Sequence, residues 1–286
     1  MTLTVVEYTD PMCPWAWGSE PTFRRLRAAL PGARWRRVFG ILFDDGDDPA
    51  PDPAAETAWY HGHLQRIAEH TRAPWPAVLE RVALTSWPSS LVARAAQAQG
   101  SVVAERVLRR LRETVFLMGR PADTPERALR AVDGIPGLDH DRLAADAASA
   151  GVRASVTADR RECRSPVPEV LRIDDPGPHN GRAKPVDDDG HRYALPTLLF
   201  QGPAGRAVVP GWRPYAESTA AAERVAPGSV REPVRLSPEE ALRRYASLTE
   251  AEVGALASLP GAVSLDTPGG RVWLAEDEAR THPALR

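Results

Sequence analysis

The fold prediction depends most on residues 10–18, Asp10-Pro-Met-Cys-Pro-Trp-Ala-Trp-Gly18. Two prolines interrupt the preceding apolar run and a helical pattern follows, so Cys13 lies where a strand passes into a helix. Backbone N–H groups and the helix dipole favour negative charge at such a position. A thiol there has a lowered pKa and forms the nucleophilic thiolate more readily. The alternative is that Cys13 is an inert, small hydrophobic side chain.

The segments on either side of this stretch predict a β-α-β unit. Residues 2–8 are an apolar, β-branched run that is typical of a buried strand. Phe23, Leu26 and Leu30 recur at helical spacing, and residues 34–42 alternate loosely, which predicts a second strand. Two strands joined by a helix imply a parallel pair with a right-handed crossover.

The rest of the chain predicts a helical insertion, a second sheet segment and a tail. Residues 54–150 follow a helical pattern cut by prolines, and we expect about four or five helices there. Residues 193–200 and 206–209 predict a hairpin with a five-residue turn, and a helix follows over 212–225. Beyond residue 231, two capping boxes and another hairpin predict a separate unit. The predicted domains are the first half of a sheet domain over 1–50, a helical insertion over 51–150, the second half over 151–228 and an appendage over 229–286.

Composition and charge exclude several classes of protein. Of the 286 residues, 43% are hydrophobic and 26% are charged, which is typical of a globular chain. The net charge of −2 provides no global positive field, so we expect neither nucleic acid nor a membrane surface as a partner. The apolar runs are far shorter than the ~20 residues that a membrane helix needs. The acidic loop with Asp44, Asp45, Asp47, Asp48 and Asp52 lacks the ligand spacing of a calcium loop, so we expect no metal.

The cysteines and the first residues predict the compartment. Two cysteines, Cys13 and Cys163, are too few for a disulfide framework. The first eight residues show no basic region, no long apolar stretch and no small-residue cleavage site, which predicts no export signal. We therefore expect a cytoplasmic location, where a cysteine that matters is more often catalytic than structural.

The loop at residues 10–18 resembles the active-site loop of the DsbA-like thioredoxin superfamily, in which Asp-Pro-x-Cys-Pro-Trp-Cys-Trp-Gly is a familiar form. It most resembles the FrnE-like branch, which is related to 2-hydroxychromene-2-carboxylate isomerases and kappa-class glutathione transferases. Residues 193–200, Tyr193-Ala-Leu-Pro-Thr-Leu-Leu-Phe200, resemble the family segment that carries a cis-proline. We therefore expect an α/β chain, a thioredoxin fold with an inserted helical domain and a small C-terminal α+β appendage.

The resemblance also implies the site. Cys13 would be the catalytic residue, and a cis Leu195–Pro196 bond would face it, leaving the preceding backbone groups to pair with an extended substrate or thiol peptide. The residues expected to bind substrate or a small thiol are Pro14, Trp15, Ala16, Leu195 and Pro196. The implied cofactor is glutathione or mycothiol, with no metal. The expected partners are a small-molecule substrate and a low-molecular-weight thiol, and a homodimer is one further expectation.

The departure from the family pattern concerns Ala16. A redox member has Cys-x-x-Cys, and here the fourth position is alanine, so the usual dithiol cycle is lost. Three functions stay open. The first is a thiol-dependent isomerase or transferase acting on a small, aromatic or polyketide-like substrate. The second is a monothiol disulfide oxidoreductase that exchanges with glutathione or mycothiol, and the third is a non-catalytic binding protein.

Four further residues have two interpretations each. Cys163 either resolves a disulfide formed at Cys13 or is a bystander in a charged, helical stretch. His179 and His191 flank a segment rich in glycine and aspartate, where either could act as an acid or base or be a solvated side chain. Trp15 either lines a substrate pocket or belongs to the core.

Overall fold

The chain divides into two units, and each unit is built from two separate segments. The structure, a computed structural model, describes residues 2–44, 50–186 and 190–286. We call Met1–Gly40 with Thr157–Arg235 the sheet unit, and Ile41–Val156 with Leu236–Arg286 the insertion–tail unit. The tail, expected as an appendage over 229–286, groups with the helical insertion from Leu236 onward. The divisions also fall at 40, 156 and 235 rather than at 50, 150 and 228.

The sheet unit has a four-stranded mixed sheet in the order β2-β1-β5-β6. Its elements are β1 (Thr4–Thr9), α1 (Pro14–Ala29), β2 (Arg34–Phe39), the second half of α7 (Ala150–Cys163), β3 (Lys184–Val186), β4 (Gly190–Arg192), β5 (Thr197–Gly202), β6 (Gly205–Pro210) and α8 (Tyr215–Val225). β1 and β2 are parallel, as the β-α-β pattern predicts, while β5 runs antiparallel to both β1 and β6. This arrangement confirms the α/β class and the thioredoxin fold.

The core of the sheet unit lies between α1, α8 and one face of the sheet. Phe23, Leu26 and Leu30, which the helical spacing marked as packed, are 6%, 0% and 1% exposed. They pack with Val5 of β1 and Phe200 of β5 in one apolar cluster. Burial of a side chain of this size stabilises the fold by about 1.5–3 kcal/mol. The packing of α1 on the sheet therefore places the first turn of α1 at the end of β1.

Two predicted boundaries in the sheet unit differ from the observed ones, and one small ladder was not predicted. β2 ends at Phe39, because Ile41 adopts a positive φ of 49° and leaves the strand direction. The turn between β5 and β6 has two residues, 203–204, rather than five, since the ladder continues to the Gly202–Gly205 pair. The small β3–β4 ladder was not predicted, because its strands have three residues each and carry no alternating pattern.

The insertion–tail unit combines the predicted helices with the tail. Its helices are α2 (Pro53–Thr71), α3 (Trp87–Ala96), α4 (Ser101–Phe116), α5 (Pro125–Ala131), α6 (His140–Ala147), the first half of α7, α9 (Pro238–Tyr245), α10 (Glu250–Val253) and α11 (Glu276–Ala279). Both tail capping boxes are formed, at Ser237 with Glu240 and at Thr249 with Glu252. Among the described residues, no helix combines the length and apolar character needed to span a membrane.

The tail sheet has three strands instead of the predicted two-stranded hairpin. β7 (Ser247–Thr249), β8 (Ala262–Thr267) and β9 (Gly270–Ala275) pair in the order β7-β9-β8. Leu242, Leu248, Leu259 and Trp273 form the small apolar core beneath this sheet. β7 escaped prediction because three residues between two helices give no recognisable alternation.

Candidate active site

Cys13 is the N-cap residue of α1, directly after the loop that leaves β1. The carboxylate of Asp10 accepts a hydrogen bond from the Met12 N–H at 2.7 Å, and the Asp10 carbonyl accepts one from the Cys13 N–H at 3.2 Å. Pro14 begins the helix, and the first turn of α1 carries no acidic side chain. The loop therefore delivers the Cys13 thiol to the positive end of a helix dipole.

The second motif meets the first at the Cys13 sulfur. The Cys13 Sγ–H donates to the backbone carbonyl of Leu195 at 3.3 Å, across 182 residues of sequence. The Leu195–Pro196 peptide bond is cis, and the Pro196 carbonyl accepts from the Gly211 N–H at 2.8 Å. Cys13 is 2% exposed and Leu195 is 3% exposed. The thiol thus lies in a nearly closed environment rather than on an open surface.

His179 shares the same carbonyl. Its Nε2 lies 2.8 Å from the Leu195 oxygen, and its Nδ1 accepts from the Gly181 N–H at 3.4 Å. These partners assign the neutral tautomer that is protonated at Nε2, because Nδ1 must present a lone pair. Burial lowers the pKa of His179 to about 4, against the opposing effect of the Leu195 hydrogen bond and with help from nearby cationic side chains. His179 is therefore neutral at physiological pH.

A second group of contacts holds the His179 loop. The Arg213 guanidinium donates to the His179 carbonyl at 3.2 Å and to the Asn180 carbonyl at 2.8 Å, and it pairs with Asp175 at 2.8 Å. Gly211 has a φ of +78°, and a Cβ there would lie 2.6 Å from the His179 carbonyl oxygen. This close approach of backbone to backbone requires glycine at position 211.

Aromatic rings form a wall beside the histidine. The Trp15 ring lies 5.0 Å from the His179 ring and 6.2 Å from the Trp212 ring, centroid to centroid. Both tryptophans are half-buried, whereas Trp17 is 3% exposed and belongs to the core. Half-buried aromatic rings at such spacing provide a surface on which a flat apolar group can pack.

Cys163 is also buried, but its surroundings differ from those of Cys13. It ends α7, is fully buried, and would meet a Cβ on Gly40 at 2.8 Å from its sulfur. Burial raises the pKa of Cys163 to about 12, an effect that Arg192 opposes. Both cysteines are free thiols. The Cys163 thiol is therefore protonated and shielded, which favours the bystander interpretation.

The predicted site residues occupy the following places. Cys13 and Leu195 are in contact, Pro14 and Pro196 are buried, Ala16 is 0% exposed, and Trp15 lies at the aromatic wall. His191 is exposed on β4. Sequence reasoning gave His179 little weight, because it lies in an irregular segment with no periodic signal. The indication in the sequence was its position beside a segment rich in glycine and aspartate.

The acidic loop after β2 shows no metal geometry among the residues that the structure describes. Asp44 accepts from the indole N–H of Trp87 at 3.0 Å, and Asp52 caps α2 by accepting from the Ala54 and Ala55 N–H groups. Asp45, Asp47 and Asp48 lie outside the described residues. Within the described ranges, no three histidine, cysteine, aspartate or glutamate side chains are grouped to hold a metal ion.

Comparisons with known structures agree on the fold. A probable DsbA oxidoreductase from Streptomyces coelicolor is similar with a TM-score of 0.53 and 18% identity, over 82% of this chain and 93% of that chain. The cytosolic disulfide reductase DsbM from Pseudomonas aeruginosa is similar with a TM-score of 0.51 and 18% identity, over 77% and 93%. The chain therefore has the DsbA-like thioredoxin fold.

A comparison of sequences finds a shorter likeness. The ClpXP adapter protein SpxH of Shouchella clausii (strain KSM-K16) is 24% identical over 163 residues, or 55% of this chain. The match spans about half, 52%, of the length of that curated relative. No protein-family model matches the chain.

Proposed function

We propose that this chain is a thiol-dependent enzyme in which one cysteine, Cys13, acts as a nucleophile on a small electrophilic substrate, as an isomerase or a transferase. The observation that carries this proposal is the position of the Cys13 sulfur, at the first turn of α1 and against the Leu195 carbonyl. Ala16 stands where a dithiol site has its second cysteine, one helical turn further along. Glutathione or mycothiol is the proposed low-molecular-weight thiol partner.

The surroundings of Cys163 support a single working thiol. With a pKa of about 12 and a fully buried side chain, Cys163 is protonated and shielded from solvent. A thiol in that state attacks a disulfide slowly, because the thiolate is the reacting form. A protonated, shielded Cys163 is poorly suited to resolve a disulfide at Cys13, so Cys13 is proposed as the single reactive thiol.

The occupancy of the Leu195 carbonyl supports a small substrate over an extended peptide. A carbonyl oxygen has two lone pairs, and here it accepts from both the Cys13 thiol and the His179 ring. A peptide that paired with this carbonyl would have to displace one of these donors. The half-buried rings of Trp15 and Trp212 offer instead a surface for a planar, aromatic substrate.

The proposed chemistry conserves atoms and electrons. The Cys13 thiolate adds its electron pair to the electron-poor carbon of an enone-like substrate, a C–S bond forms, and the displaced π pair moves to the substrate oxygen. Rotation about the former double bond follows. The pair then returns, the C–S bond breaks, and the thiolate is released. In the transferase form, the Cys13 thiolate displaces a leaving group from the substrate carbon; the thiolate of the small thiol then takes that carbon from the Cys13 sulfur, which leaves as a thiolate.

Intact-mass measurement with an aromatic enone tests this proposal. We expect a one-to-one adduct on the wild type and on Cys163→Ser, none on Cys13→Ser, and cis–trans conversion that depends on Cys13. Conversion by Cys13→Ser that needs added glutathione or mycothiol would make the outside thiol the nucleophile and Cys13 only its hydrogen-bond partner. Conversion by Cys13→Ser without any added thiol would contradict the proposal.

A second candidate is a monothiol disulfide oxidoreductase, in keeping with the compared structures, which are described as a cytosolic disulfide reductase and a probable DsbA oxidoreductase. The Cys13 thiolate would attack a glutathione or mycothiol mixed disulfide, form a disulfide to that sulfur and release the other as a thiolate. A second small thiol would then restore Cys13. Turnover of a glutathionylated peptide that exceeds turnover of the enone would favour this candidate.

The location and the assembly of the protein stay predictions. A cytoplasmic setting would keep both cysteines reduced, as they are in the structure.

A protein that binds neither enone nor thiol at Cys13 would support the third function, a non-catalytic binding protein.

A further inference from the structure

We infer that His179 is a positioning residue of the thiol site, which acts on Cys13 through the carbonyl oxygen that both side chains share. The inference rests on the proposed use of Cys13 as a nucleophile. It starts from three atoms, the Cys13 Sγ, the Leu195 oxygen and the His179 Nε2, with the oxygen 3.3 Å from the sulfur and 2.8 Å from the nitrogen.

The shared oxygen couples the two side chains because it faces the sulfur in both protonation states. In the thiol state it accepts the S–H hydrogen bond. In the thiolate state it presents a partial negative charge to a negative sulfur, which opposes ionisation. A donor on the same oxygen withdraws electron density from it and weakens both effects. The His179 N–H therefore favours the reactive thiolate without touching the sulfur.

The surroundings of His179 keep it in the form that donates. Gly181 donates to Nδ1, so Nε2 carries the proton in the neutral ring. The charged groups that act on the ring are cationic: Lys184 of β3, Arg192 of β4 and Arg213 before α8. With a pKa of about 4, the ring stays neutral from pH 5 upward and donates throughout the range in which a thiol titrates.

Contacts on the backbone of the His179 segment also hold the imidazole in place. Arg213 binds the His179 and Asn180 carbonyls, and the Gly211 backbone packs against the same segment. His179 is 8% exposed, so its ring has little freedom to leave the Leu195 oxygen. An irregular segment is thus fixed by an arginine, two glycines and an aromatic contact with Trp15.

Asp10 is a charged group on the Cys13 side of the site. Its buried carboxylate accepts from the Met12 N–H in the loop that carries Cys13. Because Asp10 belongs to that loop and not to the His179 segment, substitution of His179 leaves it in place. An effect of His179 on Cys13 can therefore be measured against an unchanged Asp10.

The test is the rate of Cys13 alkylation by iodoacetamide between pH 5 and pH 10, with peptide mapping to separate Cys13 from Cys163. For His179→Leu, which removes the donor, we expect alkylation at pH 7 to slow by roughly two- to tenfold, the equivalent of one net hydrogen bond. The midpoint of the pH profile should rise, and the plateau at high pH should stay. His179→Gln, whose amide N–H can reach the carbonyl, should keep the wild-type midpoint. His191→Leu is the matched control, since it removes an exposed imidazole of the sheet unit.

The outcomes separate the inference from the proposed function. An unchanged or lowered midpoint in His179→Leu, with Cys13 still alkylated, would overturn the inference and leave the function in place. A wild-type Cys13 that iodoacetamide cannot modify in the folded protein would overturn both. If thermal melting shows that His179→Leu is unfolded, the comparison of His179→Gln with the shorter His179→Asn decides. Equal midpoints in those two variants would then overturn the inference.

Discussion

The two units each bury a histidine, and the partners of the two rings differ. In the sheet unit, His179 donates to a neutral backbone carbonyl that also accepts from a thiol. In the insertion–tail unit, fully buried His282 lies 3.1 Å from a carboxylate oxygen of fully buried Glu113. Arg109 donates to the other oxygen of Glu113 at 2.9 Å, and the Ser247 hydroxyl donates there as well.

The difference shows how partner charge sets the role of a buried polar group. Although burial raises the pKa of Glu113, the hydrogen bond from His282 and the charge of Arg109 bring it down to about 2. That cluster joins α4 to β7 and to the end of the tail through hydrogen bonds to one buried carboxylate, which stays ionised near neutral pH. At the sheet-unit site the group that faces the thiol is instead a neutral backbone carbonyl, which also accepts from a neutral histidine.

The largest expected effect comes from a second thiol at the sheet-unit site. Ala16→Cys should place its sulfur beside Cys13, one helical turn away, and the two should form a disulfide in a mild oxidant. Oxidised protein should then resist alkylation at Cys13 completely and lose the native reaction, while the reduced variant should reduce a model disulfide and in turn form the disulfide between Cys13 and the introduced thiol. Mass measurement before and after reduction checks the bond. Two free thiols after oxidation would show that the loop is not a thioredoxin-like active-site loop.

The next largest effect should be seen in the insertion–tail unit. Glu113→Ala leaves Arg109 and His282 buried without their carboxylate, so we expect a loss of ~3–5 kcal/mol in the free energy of unfolding. Urea denaturation followed by circular dichroism measures it. Alkylation of Cys13 in the folded variant should stay at the wild-type rate. A loss below ~1 kcal/mol would mean that the cluster does not anchor the tail.

A smaller effect concerns the stability of the protein in acid. His179 has a pKa of about 4 when folded and about 6.5 when unfolded, so the unfolded chain binds one more proton between these values. The free energy of unfolding should fall as the pH is lowered from 6.5 to 4, by about 3 kcal/mol at most. His179→Leu should lack this contribution, and His191→Leu should keep it. Identical pH slopes in wild type and His179→Leu would contradict the assignment.

The smallest effect should come from an exposed ion pair of the insertion–tail unit. Arg127 and Glu80 lie 2.7 Å apart, with side chains 38% and 41% exposed. Glu80→Gln should change the free energy of unfolding by less than ~1 kcal/mol, because solvent and salt screen such pairs. A loss of unfolding free energy as large as that of Glu113→Ala would show that burial does not explain why the Glu113 cluster and the Arg127–Glu80 pair differ.

Much of the sheet unit could be predicted from the sequence. The apolar positions Phe23, Leu26 and Leu30 marked the buried face of α1, and the strand–helix–strand order implied the parallel β1–β2 pair. Cys13 and Leu195 came from two motifs, and the structure brings them into contact. The boundaries were less accurate, because a strand end such as Phe39 is set by a backbone turn and not by hydrophobic pattern.

The sequence by itself determined the order of the elements, the single thiol at the start of α1 and the absence of a second cysteine at position 16, since these follow from local periodicity and residue identity. Only the tertiary structure decided that His179 and the Cys13 thiol share the Leu195 carbonyl and that the tail groups with the helical insertion. Both depend on contacts between distant segments, as in the 138 residues that separate Arg109 from Ser247. Such contacts form because buried polar atoms must find partners, and no local pattern records which partner will be near.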